Sequence, residues 1–212
     1  MKKYLAELIG TFALVFCGTG AIIINEWSNG AISHVGVAMT FGLIVMVMIY
    51  AFGNISGAHI NPAVSLAFSL TNLFERKQVL GYIIAQLIGA FLASGTLYFL
   101  FPQQENLGAT LPAGSWQQSF VLELILTYFL MVVILFVSQN KAVNQFTGLA
   151  VGATVLLEAL FAGPITGASM NPARSIAPAI VAGNLHNLWI YITAPILGAI
   201  LATCTWLIMK EE

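Results

Sequence analysis

Ser56-Gly57-Ala58-His59-Ile60-Asn61-Pro62-Ala63-Val64-Ser65 and Thr166-Gly167-Ala168-Ser169-Met170-Asn171-Pro172-Ala173-Arg174-Ser175 are one phrase written twice, 110 positions apart. In both copies small residues lead up to Asn-Pro. Asparagine is a good helix N-cap and proline is favoured at the first helical position, so each copy predicts a helix beginning at its asparagine. The apolar run after Asn61 ends near Leu70, before Thr71-Asn72 and Glu75-Arg76-Lys77, and the run after Asn171 ends near Val181, before Gly183-Asn184. Both helices are therefore short. A single Asn-Pro-Ala is an ordinary turn-to-helix start; two copies in register within a repeat mark something more.

Composition supplies the setting. Of 212 residues, 59% are hydrophobic and only 7% charged, against about a quarter charged in a soluble domain. This predicts an integral membrane protein. A net charge of −1 offers nothing for nucleic acid. Cys17 and Cys204 lie far apart in apolar runs and read as packing residues rather than a disulfide or metal pair. The sequence calls for no catalytic residue, cofactor or metal. Met1-Lys2-Lys3 and the apolar run to Ile24 have the outline of a signal peptide, but Glu7 inside the run and its full-span length favour a first membrane helix.

Six segments are long enough to cross a bilayer, which takes about 20 residues: roughly Leu5 to Ile24, His34 to Phe52, Val79 to Phe101, Gln118 to Val137, Phe146 to Phe161 and Leu188 to Met209. The short helices follow the second and fifth. Each half thus has the plan span, span, half-span, span. Away from the tripeptides, Ala6-Glu7-Leu8-Ile9 matches Leu122-Glu123-Leu124-Ile125, and Gly36-Val37-Ala38 matches Gly148-Leu149-Ala150. The chain reads as a single domain, 1–212, of two repeats, about 1–105 and 106–212. Three spans per half give the halves opposite orientations, and short interrupted segments at matching places in such repeats point to a site near the bilayer midplane. The expected fold is an all-α membrane protein with six transmembrane helices and two re-entrant half-helices in an inverted repeat. Lys2, Lys3, Arg76, Lys77, Lys141 and Lys210 fall on one side of this plan, so both termini are expected in the cytoplasm. Gly148 and Gly152, like Gly198 and Ala202, are spaced for close helix contact.

Four ionisable residues lie at or beside membrane depth: Glu7, Glu123, Glu158 and Arg174. Such groups are costly unless paired or wet. Glu7 and Glu123 are repeat equivalents, and a buried carboxylate can accept the N–H groups of a re-entrant loop that has no water to turn to. They read as loop supports rather than proton relays. Half-helices entering from opposite faces bring two positive dipole ends together at mid-membrane. There the amides of Asn61 and Asn171 can donate to a passing water, turn its oxygen inward and interrupt a proton wire. Arg174 is the fixed cation of the pore on the outer side, charged at any relevant pH. Glu158 either packs against a loop or shades the pore.

With these residues the chain resembles the aquaporins, the major intrinsic protein family, over almost its whole length. The resemblance implies a homotetramer with one pore per protomer, passing water or small uncharged solutes passively. It implies a lining from the loop carbonyls of Gly57, Ala58, His59, Gly167, Ala168 and Ser169; read alone, His59 is equally a loop hydrogen-bonder. It further implies a narrow filter at Phe41, Ala159, Ala168 and Arg174. Strict water channels have histidine where Ala159 stands and commonly threonine at Ala168, and glycerol facilitators have a second aromatic at the loop position. Two alanines imply a wider constriction. Leu149 to Leu157, Phe161-Ala162-Gly163-Pro164 and Val45 to Tyr50 are similar to the nodulin-like intrinsic proteins of plants and their bacterial relatives. That branch implies water, glycerol and metalloid hydroxides such as boric, silicic and arsenous acid, here across a bacterial inner (plasma) membrane. A strict water channel is the first alternative. A coupled secondary transporter is the second, disfavoured because no acidic group adjoins the tripeptides to hold a driving cation.

Overall fold

The computed structural model describes residues 1–210. Its helices are α1 (Lys2–Trp27), α2 (Ser33–Ser56), α3 (Pro62–Leu70), α4 (Val79–Leu100), α5 (Trp116–Gln139), α6 (Thr147–Thr166), α7 (Pro172–Ala182) and α8 (Leu188–Met209). Six of them are long and apolar enough to cross a membrane; α3 and α7, of 9 and 11 residues, are not. Large apolar side chains stay exposed on the outside of the bundle, Phe99 at 82% and Ile208 at 83%, as lipid contact requires.

Local chemistry sets the ends. Asn61 and Asn171 cap α3 and α7, each side-chain oxygen accepting the N–H two residues on, with proline at the first turn. Two spans run further than the sequence suggests. The second ends at Ser56 rather than near Phe52 and the fifth at Thr166 rather than near Phe161. Gly57 and Gly167 end them in the left-handed conformation, with φ of 87° and 84°. Continuation past Phe161 takes α6 through Pro164, which has no N–H to give to the carbonyl of Leu160. His34 of α2 fills that place, Nε2 donating to the Leu160 carbonyl at 2.8 Å.

The two halves repeat one packing plan. α1 lies against α2 and α4, α5 lies against α6 and α8, and α2 crosses α6 at the centre. Glycines allow these approaches. A Cβ on Gly89 would stand 2.2 Å from the Leu8 carbonyl oxygen, and one on Gly198 would stand 2.2 Å from that of Leu124, so α1–α4 and α5–α8 cross alike. At the centre a Cβ on Gly42 would meet the Gly152 oxygen at 2.6 Å, and the reverse contact has the same length. The short helices are shared between halves, α3 packing on α8 as well as α4, and α7 on α4 as well as α8. Cys17 and Cys204 are unpaired; Cys204 is exposed on α8 rather than packed.

Candidate functional site

The loops leading into α3 and α7 have the same unusual backbone. Ala58 and Ile60 have φ of 46° and 43°, and Ala168 and Met170 have 41° and 52°. Left-handed conformations are costly for residues with a Cβ, most of all for β-branched isoleucine. The loops must be held. Glu7, fully buried on α1, accepts from His59 N (2.9 Å) and the Ser56 hydroxyl (2.7 Å) on Oε1, and from Ile60 N (2.7 Å) and the Gln86 amide (2.8 Å) on Oε2. On α5, Glu123 accepts from Ser169 N, Met170 N and the Thr166 hydroxyl, each at 2.8 Å. Tyr82 and Tyr191 add matching bonds to the carbonyls of Ser56 and Thr166, at 2.8 and 2.7 Å. The halves differ at one point: where Gln86 reaches Glu7, the corresponding residue of α8 is Pro195, and Glu123 has no such partner.

The asparagines cross. Asn61 Nδ2 donates to the Met170 carbonyl at 2.7 Å, and Asn171 Nδ2 donates to the Ile60 carbonyl at 2.8 Å. Each Oδ1 is engaged by its own helix, accepting from Ala63 N at 2.9 Å and Ala173 N at 3.0 Å. One N–H of each amide is thus spent tying the half-helices together, and the second remains available to the space beside it.

That space is the middle of three stacked cavities. A central one of about 90 Å³ is lined by Asn61, Asn171, Arg174, His59 and the Gly57–Ala58 and Ala168–Ser169 segments, together with apolar Leu14, Val45, Val64, Leu130, Val151 and Val155 and the hydroxyl residues Ser138 and Thr147. With about 30 Å³ per liquid water, it has room for a short single file. A cavity of about 810 Å³ continues from Gly57, His59 and Phe68 toward the α3–α4 and α5–α6 connections. A third, of about 460 Å³, opens beyond Phe41 and is lined by Ala159, Gly167, Gly163 and His34.

Phe41 borders both the central and the third cavity, marking the boundary between them. Arg174, 1% exposed, lies with its guanidinium carbon 5.0 Å from the Phe41 ring centroid. Its Nη1 donates to the Gly108 carbonyl at 2.8 Å, while Nε and Nη2 have no partner among the described residues. Ala168 borders the central cavity with Phe41 and Arg174, and Ala159 borders the third with Phe41. His59 is both a lining residue and a loop hydrogen-bonder. Its Nδ1 lies 3.0 Å from the Ser65 hydroxyl, and its ring stacks on Phe68 at 4.8 Å.

Other sequence candidates lie behind the wall. Ala63 packs with Ala199 and Ala202, and Ala173 with Ala90 and Ala93; Pro62 and Pro172 are buried first-turn residues. Only the asparagine of each tripeptide borders the cavity. Glu158 borders none of the three cavities, and its Oε2 is buried without a hydrogen-bond partner among the described residues. We expect Glu158→Leu to leave water permeability within about twofold of the parent and to raise thermal stability, since an unsatisfied buried polar group costs about 1–3 kcal/mol. Stopped-flow permeability and a melting curve check this. Nothing local in the sequence marks the apolar lining of the central cavity, Gln86 or Gly108, because no pattern separates a cavity-facing valine from a core one.

A family model described as major intrinsic protein matches residues 1–206. Aquaporin NIP1-1 of Oryza sativa subsp. japonica is 50% identical over 212 residues, covering 99% of this chain and 75% of that one. Nodulin-26 of Glycine max is 45% identical over 212 residues, covering 99% and 78%. Among solved structures, the aquaglyceroporin from Plasmodium falciparum superposes with a TM-score of 0.83 at 27% identity, covering 97% of this chain and 94% of that one. With the doubled Asn-Pro-Ala loops, the six spans and the cavity file between them, the chain belongs to the major intrinsic protein family of membrane channels.

Proposed function

We propose that the three cavities form one passive pathway for water and small uncharged solutes, glycerol and metalloid hydroxides such as boric, silicic and arsenous acid among them. Phe41, Ala159, Ala168 and Arg174 act as its filter. The observation that carries this reading is the mixed lining of the central cavity, in which polar groups of the two loops and Arg174 stand with apolar residues of α1, α2, α5 and α6. A solute with a carbon or metalloid face can lie against Val45, Val151 and Val155 while its hydroxyls exchange partners along His59, Asn61, Asn171 and Arg174. Alanine at 159 and 168 adds neither bulk nor a donor. Relatives named as NIP-type aquaporins, and a structural neighbour named as an aquaglyceroporin, support the solute range.

Protons and cations are excluded by the positive ends of α3 and α7, the two free amide N–H groups and Arg174. A coupled transporter must hold a driving cation, and the central cavity offers it the positive N-terminal ends of α3 and α7 and no carboxylate among the described residues. Gly57, Ala58, His59, Gly167, Ala168 and Ser169 serve as lining, and Glu7 and Glu123 as loop supports. One channel domain is built from repeats meeting near residue 105. It works as a homotetramer in the plasma membrane with both termini cytoplasmic.

Stopped-flow light scattering on liposomes tests the reading. Fast shrinkage in an impermeant osmolyte, followed by fast re-swelling in glycerol or boric acid gradients, is expected; shrinkage without re-swelling would establish the strict water channel instead. Ala159→His with Ala168→Thr is expected to cut glycerol permeability roughly tenfold or more while retaining water, since bulk added at a fitted contact costs about 1–3 kcal/mol, or roughly 5–150-fold in rate. Glycerol passage at the parent rate would remove Ala159 and Ala168 from the filter.

A further inference from the structure

The Phe41 ring rests on a helix that contributes no side chain to the filter. A Cβ placed on Gly18 of α1 would lie 2.2 Å from Cε1 of Phe41 and 2.6 Å from both Cδ1 and Cζ. The edge of the ring therefore occupies the space a side chain at position 18 would need. Arg174 stands on the ring as well, its guanidinium carbon 5.0 Å from the centroid. Gly18 itself borders neither the central nor the third cavity.

Helix packing common to both repeats does not explain this glycine. With the offset that relates Glu7 to Glu123, position 18 corresponds to position 134, which is Ile134, a residue of the central cavity wall. The first half thus has no side chain where the second has a large one, and Phe41 fills the difference. Glycine is also a poor residue for a helix interior. By contrast, a Cβ on Gly20, two residues along, would meet only Leu97 Cδ2 at 3.4 Å, an ordinary contact.

We propose that Gly18 is a positioning residue for the filter: by leaving its side of α1 bare it lets Phe41 seat back from the pore, and so sets the aperture open to solutes larger than water. A methyl group at position 18 would force the ring away by on the order of 1 Å, since carbon atoms rest about 3.5–4.0 Å apart. This inference rests on Phe41 being a filter residue, as proposed above.

Four variants of the full chain in liposomes test it: Gly18→Ala, Phe41→Leu, the pair together, and Gly20→Ala as a control. Gly18→Ala is expected to lower glycerol permeability roughly tenfold while water falls less than about threefold, the decade expected of overpacking at a fitted contact. Phe41→Leu should raise the glycerol-to-water ratio, and the pair should match Phe41→Leu alone, because the smaller side chain no longer meets the new methyl. Gly20→Ala should behave as the parent. A parent-like ratio in Gly18→Ala would overturn the inference while leaving Phe41 in the filter. So would equal loss of water and glycerol not relieved by Phe41→Leu, which would mean disturbed helix packing. A parent-like ratio in Phe41→Leu would instead overturn the filter assignment on which the inference stands.

Discussion

Replacing Glu7 with alanine is expected to lower the melting temperature by roughly 10–20 °C and to abolish conduction. The carboxylate accepts two backbone N–H groups, from His59 and Ile60, together with the Ser56 hydroxyl and the Gln86 amide. All four groups are buried. Each orphaned donor costs about 1–3 kcal/mol. The serine can turn to another acceptor and the Gln86 amide still reaches the Ser65 hydroxyl, but the two backbone groups cannot turn, so about 2–6 kcal/mol is lost. For a chain of this size each kcal/mol moves the midpoint by about 2–4 °C. The functional loss follows from the backbone. Ala58 and Ile60 sit at positive φ, and without the carboxylate only the Tyr82 bond to the Ser56 carbonyl, the Ala58 N–H bond to the Ser56 hydroxyl and the Asn171 bond to the Ile60 carbonyl oppose their return to ordinary conformations. The carbonyl of Ile60, on which Asn171 is anchored, would move with them. Glu7→Gln keeps one acceptor oxygen and should fall between. Melting curves in detergent and liposome water permeability check both; a Glu7→Ala protein that melts within a few degrees of the parent and still conducts would show that the loop supports itself.

The same carboxylates show why much of this architecture is legible in the sequence. Asn-Pro at a helix start is a local signal, and its duplication marks the two half-helices, their caps and their symmetry. A glutamate inside an apolar run is equally conspicuous, because its cost demands a reason. What escaped reading is what depends on residues far apart meeting once. The crossed amides join Asn61 to Met170 and Asn171 to Ile60. His34 closes the gap left by Pro164, 126 residues away from the carbonyl it reaches. The α2 and α6 ends lie beyond the apolar runs for a related reason: Gly53 and the Gly163-Pro164 pair lie inside helices that are closed only by Gly57 and Gly167. Gly18 shows the limit most clearly. In sequence it is one more small residue of an apolar helix, and its meaning appears only when the Phe41 ring is found in its place.

Arg174→Leu is expected to raise proton conductance by about 10–100-fold while leaving water permeability within a few-fold of the parent. Two unit charges 4 Å apart repel by about 4 kcal/mol at an effective dielectric constant of 20. Nearly three decades of cation exclusion would follow if the guanidinium acted alone at that distance, and pore water screens part of it. Three features limit the increase. The N-terminal ends of α3 and α7 keep about half a positive charge each, the crossed asparagines keep one free N–H each, and water must still turn its oxygen toward them at mid-file. Arg174→Lys separates charge from shape. An ammonium preserves the repulsion but not the planar fork that reaches the Gly108 carbonyl and leaves Nε and Nη2 for a passing hydroxyl. It should keep the proton barrier and change the glycerol-to-water ratio. Pyranine-loaded liposomes under a valinomycin-clamped potential measure the first quantity, and stopped-flow re-swelling measures the second. If Arg174→Leu conducts protons no faster than the parent, the half-helix ends carry the barrier unaided. The arginine is then a solute-orienting group, placed beside Phe41 to turn hydroxyls toward the polar groups of the two loops before they enter the file.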